Sequence, residues 1–137
     1  MKVLIDTNIA LDILLHRPGY TEAALVFSFT QQNIIESYIS ASAITDIFYI
    51  AKKNLGKKPA KEALKKLLHV FKPAAVTDNH IYQALELDWD DLEDSVQYIV
   101  GESFSSDYIV TRNTSDYSSC SIPAVTPEEF IKIIAVV

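Results

Sequence analysis

Lys2-Val3-Leu4-Ile5-Asp6-Thr7-Asn8 sets a short apolar run with a β-branched bias against an abrupt polar stop. Such a run reads as a buried strand that ends at Asp6. Ile9 to Leu15 then reads as a helix halted before Arg17-Pro18-Gly19. Thr21 is the expected cap of the next helix, whose apolar residues Ala24, Leu25, Phe27 and Phe29 lead to Gln31-Gln32-Asn33. Ser37 to Ser40 follows as a strand. Ser42 to Lys53 reads as a helix with Ile44, Ile47, Phe48 and Ala51 on one face, ended near Gly56. Pro59 suits the first turn of a helix over Ala60 to Phe71, with Leu64, Leu67, Leu68 and Phe71 as its apolar stripe and lysines opposite. A brief strand, Ala74 to Val76, precedes a helix capped by Thr77 or Asp78 and running to about Leu87. Asp91 to Phe104 is the next helix, with Leu92, Val96, Ile99 and Val100 inward. Tyr108 to Val110 and Pro123 to Val125 are strands, and a last helix covers Glu128 to Ala135 behind Pro127. Short apolar strands alternating with amphipathic helices predict one α/β domain over residues 1–137. The expected architecture is a three-layer α/β/α sandwich around a mostly parallel central sheet of about five strands.

The size, 137 residues with 49% hydrophobic and 22% charged, suits a single globular core. No apolar run is long enough to cross a bilayer, and Met1 to Ile5 meets Asp6 at once, leaving no secretory core segment. One cysteine, Cys120, cannot form an internal disulfide, so a cytoplasmic protein without a membrane partner is expected. The net charge is −6, yet the charges are segregated. Seven of the 12 basic residues fall between Lys52 and Lys66, and six of the 18 acids between Glu86 and Asp94. That pattern suits two solvated surfaces, and equally a basic face beside an acidic pocket.

Ligands of parallel sheets gather at the carboxyl ends of the strands, and four acids are expected there. Asp6 closes the first strand, and Asp46 lies one turn into the helix after the second. Asp94 opens the helix leading to the Tyr108 strand, and Asp116 follows that strand across a polar loop containing Asn113. Singly each has an ordinary role: Asp6 as a helix cap, Asp94 as a first-turn acid, Asp116 as a turn residue. Jointly they suggest a hard cation, because Mg²⁺ or Mn²⁺ offsets the repulsion of carboxylates packed together. No histidine stands at ligand spacing, which disfavours zinc. One or two such ions suit phosphodiester hydrolysis by activating water, neutralising the phosphate and stabilising the leaving oxygen.

Val3-Leu4-Ile5-Asp6-Thr7-Asn8, Asp91-Leu92-Glu93-Asp94-Ser95-Val96-Gln97, Tyr108-Ile109-Val110-Thr111-Arg112-Asn113 with Asp116-Tyr117, and the tail from Ile122 to Phe130 together resemble PIN-domain ribonucleases over the full length. The likeness is strongest to the VapC-like toxin components of bacterial toxin–antitoxin pairs. The resemblance implies a Mg²⁺- or Mn²⁺-dependent endoribonuclease in which Asp6, Asp46, Asp94 and Asp116 bind metal and carry catalysis. It implies that Thr7 and Thr111 line the site, where a hydroxyl can position water or a phosphate oxygen, with Asn113 as a polar helper. It further implies an RNA substrate, a small antitoxin that covers the site, and a homodimer. The family's second acid is usually glutamate; Asp46 is one methylene shorter, so contact through water is expected. Tyr117 stands where phenylalanine is common, a change expected to affect packing.

Lys52, Lys53, Lys57 and Lys58 are the natural candidates for RNA backbone contact. Glu93 points about 100° from Asp94 around a helix and is placed second to it. Asp12 is expected to be solvated, and His16, His69 and His80 to be surface or packing residues. Cys120 lacks the basic neighbours a nucleophile needs. Two other functions are consistent with the residues: a non-catalytic PIN-like binding module, and a metal-dependent phosphohydrolase with Asp6 as nucleophile. Against the second, the familiar phosphatase opening needs an acid at the position of Asn8.

Overall fold

The structure, a computed structural model, describes residues 1–137. The elements are β1 (Lys2–Ile5), α1 (Thr7–Leu15), α2 (Tyr20–Gln31), β2 (Glu36–Ser40), α3 (Ile44–Leu55) and α4 (Lys57–Val70), followed by β3 (Lys72–Ala74), α5 (Asp78–Leu85), α6 (Leu92–Ser103), β4 (Tyr108–Val110), β5 (Ala124–Val125) and α7 (Pro127–Ala135). The five strands form one sheet in the order β3-β2-β1-β4-β5, and every pairing is parallel. Because side chains alternate across a strand, β1 feeds two cores. Val3 and Ile5 join Ile9, Ile39, Ile47, Leu67, Val110 and Phe130 on one face. Leu4 joins Val96, Ile99, Val100 and Ile109 on the other. The first face is covered by α1, α2, α3, α4 and α7, the second by α5 and α6. This is the expected α/β/α sandwich. No helix is long and apolar enough to cross a membrane.

Several local expectations shift. Helix α2 begins one residue before Thr21, with Gly19 in the cap position at φ 95°, a value that suits glycine. Leu25 and Leu92 face solvent, not the core. Strand β3 starts at Lys72, not Ala74, because its register pairs Tyr38 with Lys72 and Ser40 with Ala74. Pro73 is tolerated there since β3 is an edge strand.

Helix α6 lies close against β1 because residue 101 has no side chain. A Cβ at Gly101 would stand 3.4 Å from Leu4 Cδ2 and 3.4 Å from Ile122 Cδ1. Alanine therefore just fits, and its better helix propensity offsets the tight contact to within about 1 kcal/mol. Valine overpacks this seam, and Gly101→Val is expected to destabilise by about 1–3 kcal/mol. Urea unfolding of the two variants checks this, and a Gly101→Val protein as stable as Gly101→Ala contradicts the packing.

Candidate active site

Strands β1 and β4 are neighbours, but the chain leaves them toward opposite sides of the sheet. Such a switch point leaves a crevice at the strands' carboxyl ends. Asp6 sits in it. Its backbone N–H donates to Val110 O at 3.0 Å, extending the β1–β4 pairing by one residue. Asp6 occupies the cap position of α1 but its side chain makes no capping bond. Instead, Thr111 Oγ1 donates to Oδ2 at 2.7 Å and Gln97 Nε2 to Oδ1 at 3.3 Å. Both oxygens are thus aimed by groups behind them.

All four acids expected from the sequence line one cleft of about 530 Å³, together with Thr7, Asn8, Tyr49, Asp91, Glu93 and Asn113. The first turn of α3 brings Asp46, and the first turn of α6 brings Asp94. Asp116 comes from a 3-10 turn over Thr114–Tyr117, held where its N–H donates to Asn113 O at 3.0 Å. Asp94 does not cap α6. Asp91 does so, accepting from the Asp94 N–H at 3.1 Å. Beyond Asp94 and Asp116 a second hollow continues to Asp88, Trp89 and Asp90.

Burial and crowding raise the proton affinity of Asp6, Glu93 and Asp94. Burial raises the Asp6 pKa, the bonds from Thr111 and Gln97 oppose the rise, and the charge of Asp116 adds to it. Asp94 is pushed up to about 7 by burial, then by Asp91, Asp6 and Asp116. Glu93 is raised by burial and by Asp46, Asp6 and Asp91. No three of the acids form a ready ligand set as they stand. The lining nonetheless suits a hard divalent cation: its charged groups are all carboxylates, and it contains no histidine, cysteine or basic residue.

Four residues play parts the sequence did not suggest. Glu93 accepts from Thr7 Oγ1 at 2.8 Å and shares the cleft with Asp94. The cleft meets the end of α6, so side chains about 100° apart in the first turn both reach it. Gln97 is fully buried and holds Asp6. Its signal was a lone amide among Val96, Tyr98, Ile99 and Val100, one turn after Asp94. Tyr117 keeps the ring of the usual phenylalanine, packed in the second core, but its hydroxyl also donates to Asp94 Oδ1 at 3.3 Å. Asp12 is not solvated. It is 1% exposed, with Oδ2 3.4 Å from Arg112 Nε and with Oδ1 unpartnered. An alternation of polar and apolar residues in a single helical turn gave no warning of that burial.

The remaining expected residues divide. Thr7 and Asn113 line the cleft, with the Thr7 hydroxyl committed to Glu93. Thr111 does not line it. The residue is wholly buried behind Asp6, so its hydroxyl orients that carboxylate and is out of a substrate's reach. Lys52, Lys53, Lys57 and Lys58 are exposed and lie outside the cleft, Lys53 with its ammonium 5.1 Å from the Tyr49 ring centroid. Cys120 is pushed up to about 12 by burial and nearby acids, against any role as nucleophile.

Comparison with known proteins agrees with this geometry. A family model described as PIN domain matches residues 2–115. The chain is 26% identical over 135 residues to Ribonuclease VapC1 of Aquifex aeolicus (strain VF5), covering 94% of this chain and 92% of that protein. A solved toxin–antitoxin complex from Klebsiella pneumoniae contains a chain of similar fold, with TM-score 0.67 and 23% identity over 91% of this chain and 97% of the other. VapBC2 from Rickettsia felis, bound to a DNA fragment from its promoter, gives TM-score 0.71 and 14% identity over 92% and 98% of the respective chains.

Two outcomes follow from the crowded carboxylates. Without divalent cations, stability is expected to fall as pH rises from about 4, where an unfolded aspartate titrates, to about 7. In that window the folded protein retains a proton that the unfolded chain has released, so raising the pH favours unfolding. Millimolar Mn²⁺ at pH 8 reverses the loss, and Asp94→Asn flattens the profile. Thermal melts across pH check this, and a melting temperature that climbs steadily over the window contradicts it. Tyr117→Phe removes only the hydroxyl on Asp94. It is expected to weaken Mn²⁺ binding by about 10-fold, the scale of losing a partner behind a metal ligand. Titration with Mn²⁺ reads that affinity, and an unchanged value makes the hydroxyl incidental.

Proposed function

The chain belongs to the PIN-domain family, and from that premise we propose that it is a Mg²⁺- or Mn²⁺-dependent endoribonuclease, the toxin of a type II toxin–antitoxin pair. The observation that carries this reading is the gathering of Asp6, Asp46, Glu93, Asp94 and Asp116 around one cleft at the switch point of a parallel sheet. A relative called a ribonuclease, similar over nearly the whole of both chains, supports the activity.

Asp6, Asp94 and Asp116 would hold the cation, with Asp46 facing it from α3, through water because of its short side chain. When bound, such an ion activates water and neutralises phosphate charge during hydrolysis. The protein's own groups supply orientation. Thr111 and Gln97 fix Asp6, and Tyr117 fixes Asp94. Glu93 has Oε1 engaged by Thr7. Its other oxygen is free to take the proton of an attacking water, and its raised pKa suits that role. Asn113, which lines the cleft, would donate to a phosphate oxygen. The protein would act in the cytoplasm as one domain over residues 1–137 and as a homodimer. A small antitoxin would cover the acidic cleft; an antitoxin partner is supported by the similar fold found in a solved toxin–antitoxin complex.

Purified, antitoxin-free protein is expected to cut a mixed RNA pool with Mn²⁺ or Mg²⁺ and to stop with EDTA. Asp6→Asn should lower the rate by at least about 100-fold, the upper range for loss of even an outer partner at a metal site. Folded, metal-loaded protein that cuts none of the pool, or an Asp6→Asn variant as active as the parent, overturns the reading.

A further inference from the structure

We propose that Tyr49 and Lys53 form a nucleobase subsite on the α3 lip of the cleft, where the base next to the scissile phosphate stacks on the Tyr49 ring and the strand passes outward over Lys53. This rests on the ribonuclease reading and adds residues that grip and direct the substrate.

The cleft itself cannot supply that grip. None of its 12 lining residues is lysine or arginine, so its interior repels a polyanion except where a bound cation neutralises it. Affinity for RNA must come from outside, and the two sides of the cleft differ. Toward Asp88, Trp89, Asp90 and Asp91 the surface stays acidic, which turns phosphates away. Toward α3 the character changes along one helix face: Asp46, then Tyr49 one turn later, then Lys53 one turn further. The three lie at i, i+3 and i+7, on one side of a helix. Carboxylate, aromatic ring and cation therefore succeed one another over about 10 Å of helix, leading outward from the cleft.

Tyr49 has no packing duty that explains it. It lines the cleft yet is 60% exposed, the second most exposed aromatic after Tyr82 among the large apolar side chains at the surface. It pairs with no other aromatic ring, whereas Tyr98, Tyr108 and Tyr117 all pack against neighbouring rings. The Lys53 ammonium lies over one face of the ring, 5.1 Å from its centroid, so a base would stack on the other face. An exposed ring with a cation beside it, on the rim of a nuclease-like cleft, is the combination that binds an unstacked base and its backbone. Every base has a stacking face, so the subsite grips without reading sequence.

Binding of a fluorescein-labelled, mixed-sequence RNA oligomer, measured by anisotropy in an Asp6→Asn background to prevent cutting, tests the subsite. Tyr49→Ala should weaken binding about 5- to 150-fold, the loss of one base–aromatic stack, while Tyr49→Phe stays within about twofold because the ring remains. Lys53→Ala should weaken binding and lower the slope of log affinity against log salt by about 1. Tyr82→Ala, which removes an equally exposed tyrosine from the opposite layer, should leave binding unchanged. With Asp6 intact, so that the protein can cut, Tyr49→Ala should show its loss in KM more than in kcat. If the Asp6→Asn protein binds RNA and Tyr49→Ala binds it equally well, the subsite is overturned and the ribonuclease reading stands. If the parent neither binds nor cuts RNA, both fall together.

Discussion

Two parallel strands side by side, whose continuations turn to opposite faces of the sheet, cannot cover their own carboxyl ends. The pairing of β1 with β4 imposes this constraint, and the site depends on it. Asp6 and Thr111 are the first residues beyond those strands, so the register that pairs Ile5 with Val110 also brings the Thr111 hydroxyl onto the Asp6 carboxylate. Thr111 is itself pinned by its N–H to Val125 O at 2.9 Å, which ties the contact to β5. Slipping either strand by one residue would reverse its faces and expose the core side chains. The two hydrophobic cores therefore hold the first carboxylate in place without touching it.

Gathering acids in this way works against the fold. Each of Asp6, Glu93 and Asp94 is desolvated and surrounded by like charge, and hydrogen bonds from Thr111, Gln97, Thr7 and Tyr117 offset only part of that cost. The cleft contains no cation of its own to complete the compensation. The nearest fixed ion pair, Asp12 with Arg112, lies just outside it and serves geometry. Asp12 belongs to the second turn of α1, and Arg112 stands between Thr111 and Asn113. The pair thus joins the helix that begins at Asp6 to the turn that delivers Asp116. Partly buried pairs of this kind contribute little net stability, because desolvation cancels most of the attraction; what they fix is position.

The order of strands and helices was legible because short β-branched runs and helical periodicity report burial directly. Asp6, Asp46 and Asp116 were legible because each follows a strand by a short stretch, toward the carboxyl ends where a parallel sheet binds its ligands. Asp94 was legible from its place in the first turn of the helix that leads to β4 and from the likeness of Asp91 to Gln97 to PIN-domain ribonucleases. The residues whose roles differ from the local pattern depend on tertiary contacts that the pattern does not carry. Helical-wheel reasoning treats a helix as having sides, and so separated Glu93 from Asp94, although the cleft meets the end of α6, where sides lose their meaning. The burial of Asp12 depends on a partner 100 residues away, Arg112, which no local pattern reveals. Tyr117 was read by the ring it shares with phenylalanine, and its extra oxygen found a use only once α6 was in place. For Thr111, sequence shows that a hydroxyl is near the site but not that it faces inward onto Asp6.

The net charge of −6 says little about an anionic partner, for a reason of scale. At physiological ionic strength charges are screened beyond about 8 Å, while Asp46 and Lys53 are separated by about 10 Å along α3. A phosphate at the inner end of that helix experiences the carboxylates and needs a cation; one at the outer end experiences the lysines of α3 and the start of α4 and needs none. Segregated charge on a small acidic protein therefore creates two independent surroundings within one nucleotide or two of each other. The inner one favours whatever neutralises carboxylates, and the outer one favours phosphate. A protein with the same composition and its charges intermixed would offer neither, so the arrangement along α3, and not the sum, carries the functional information.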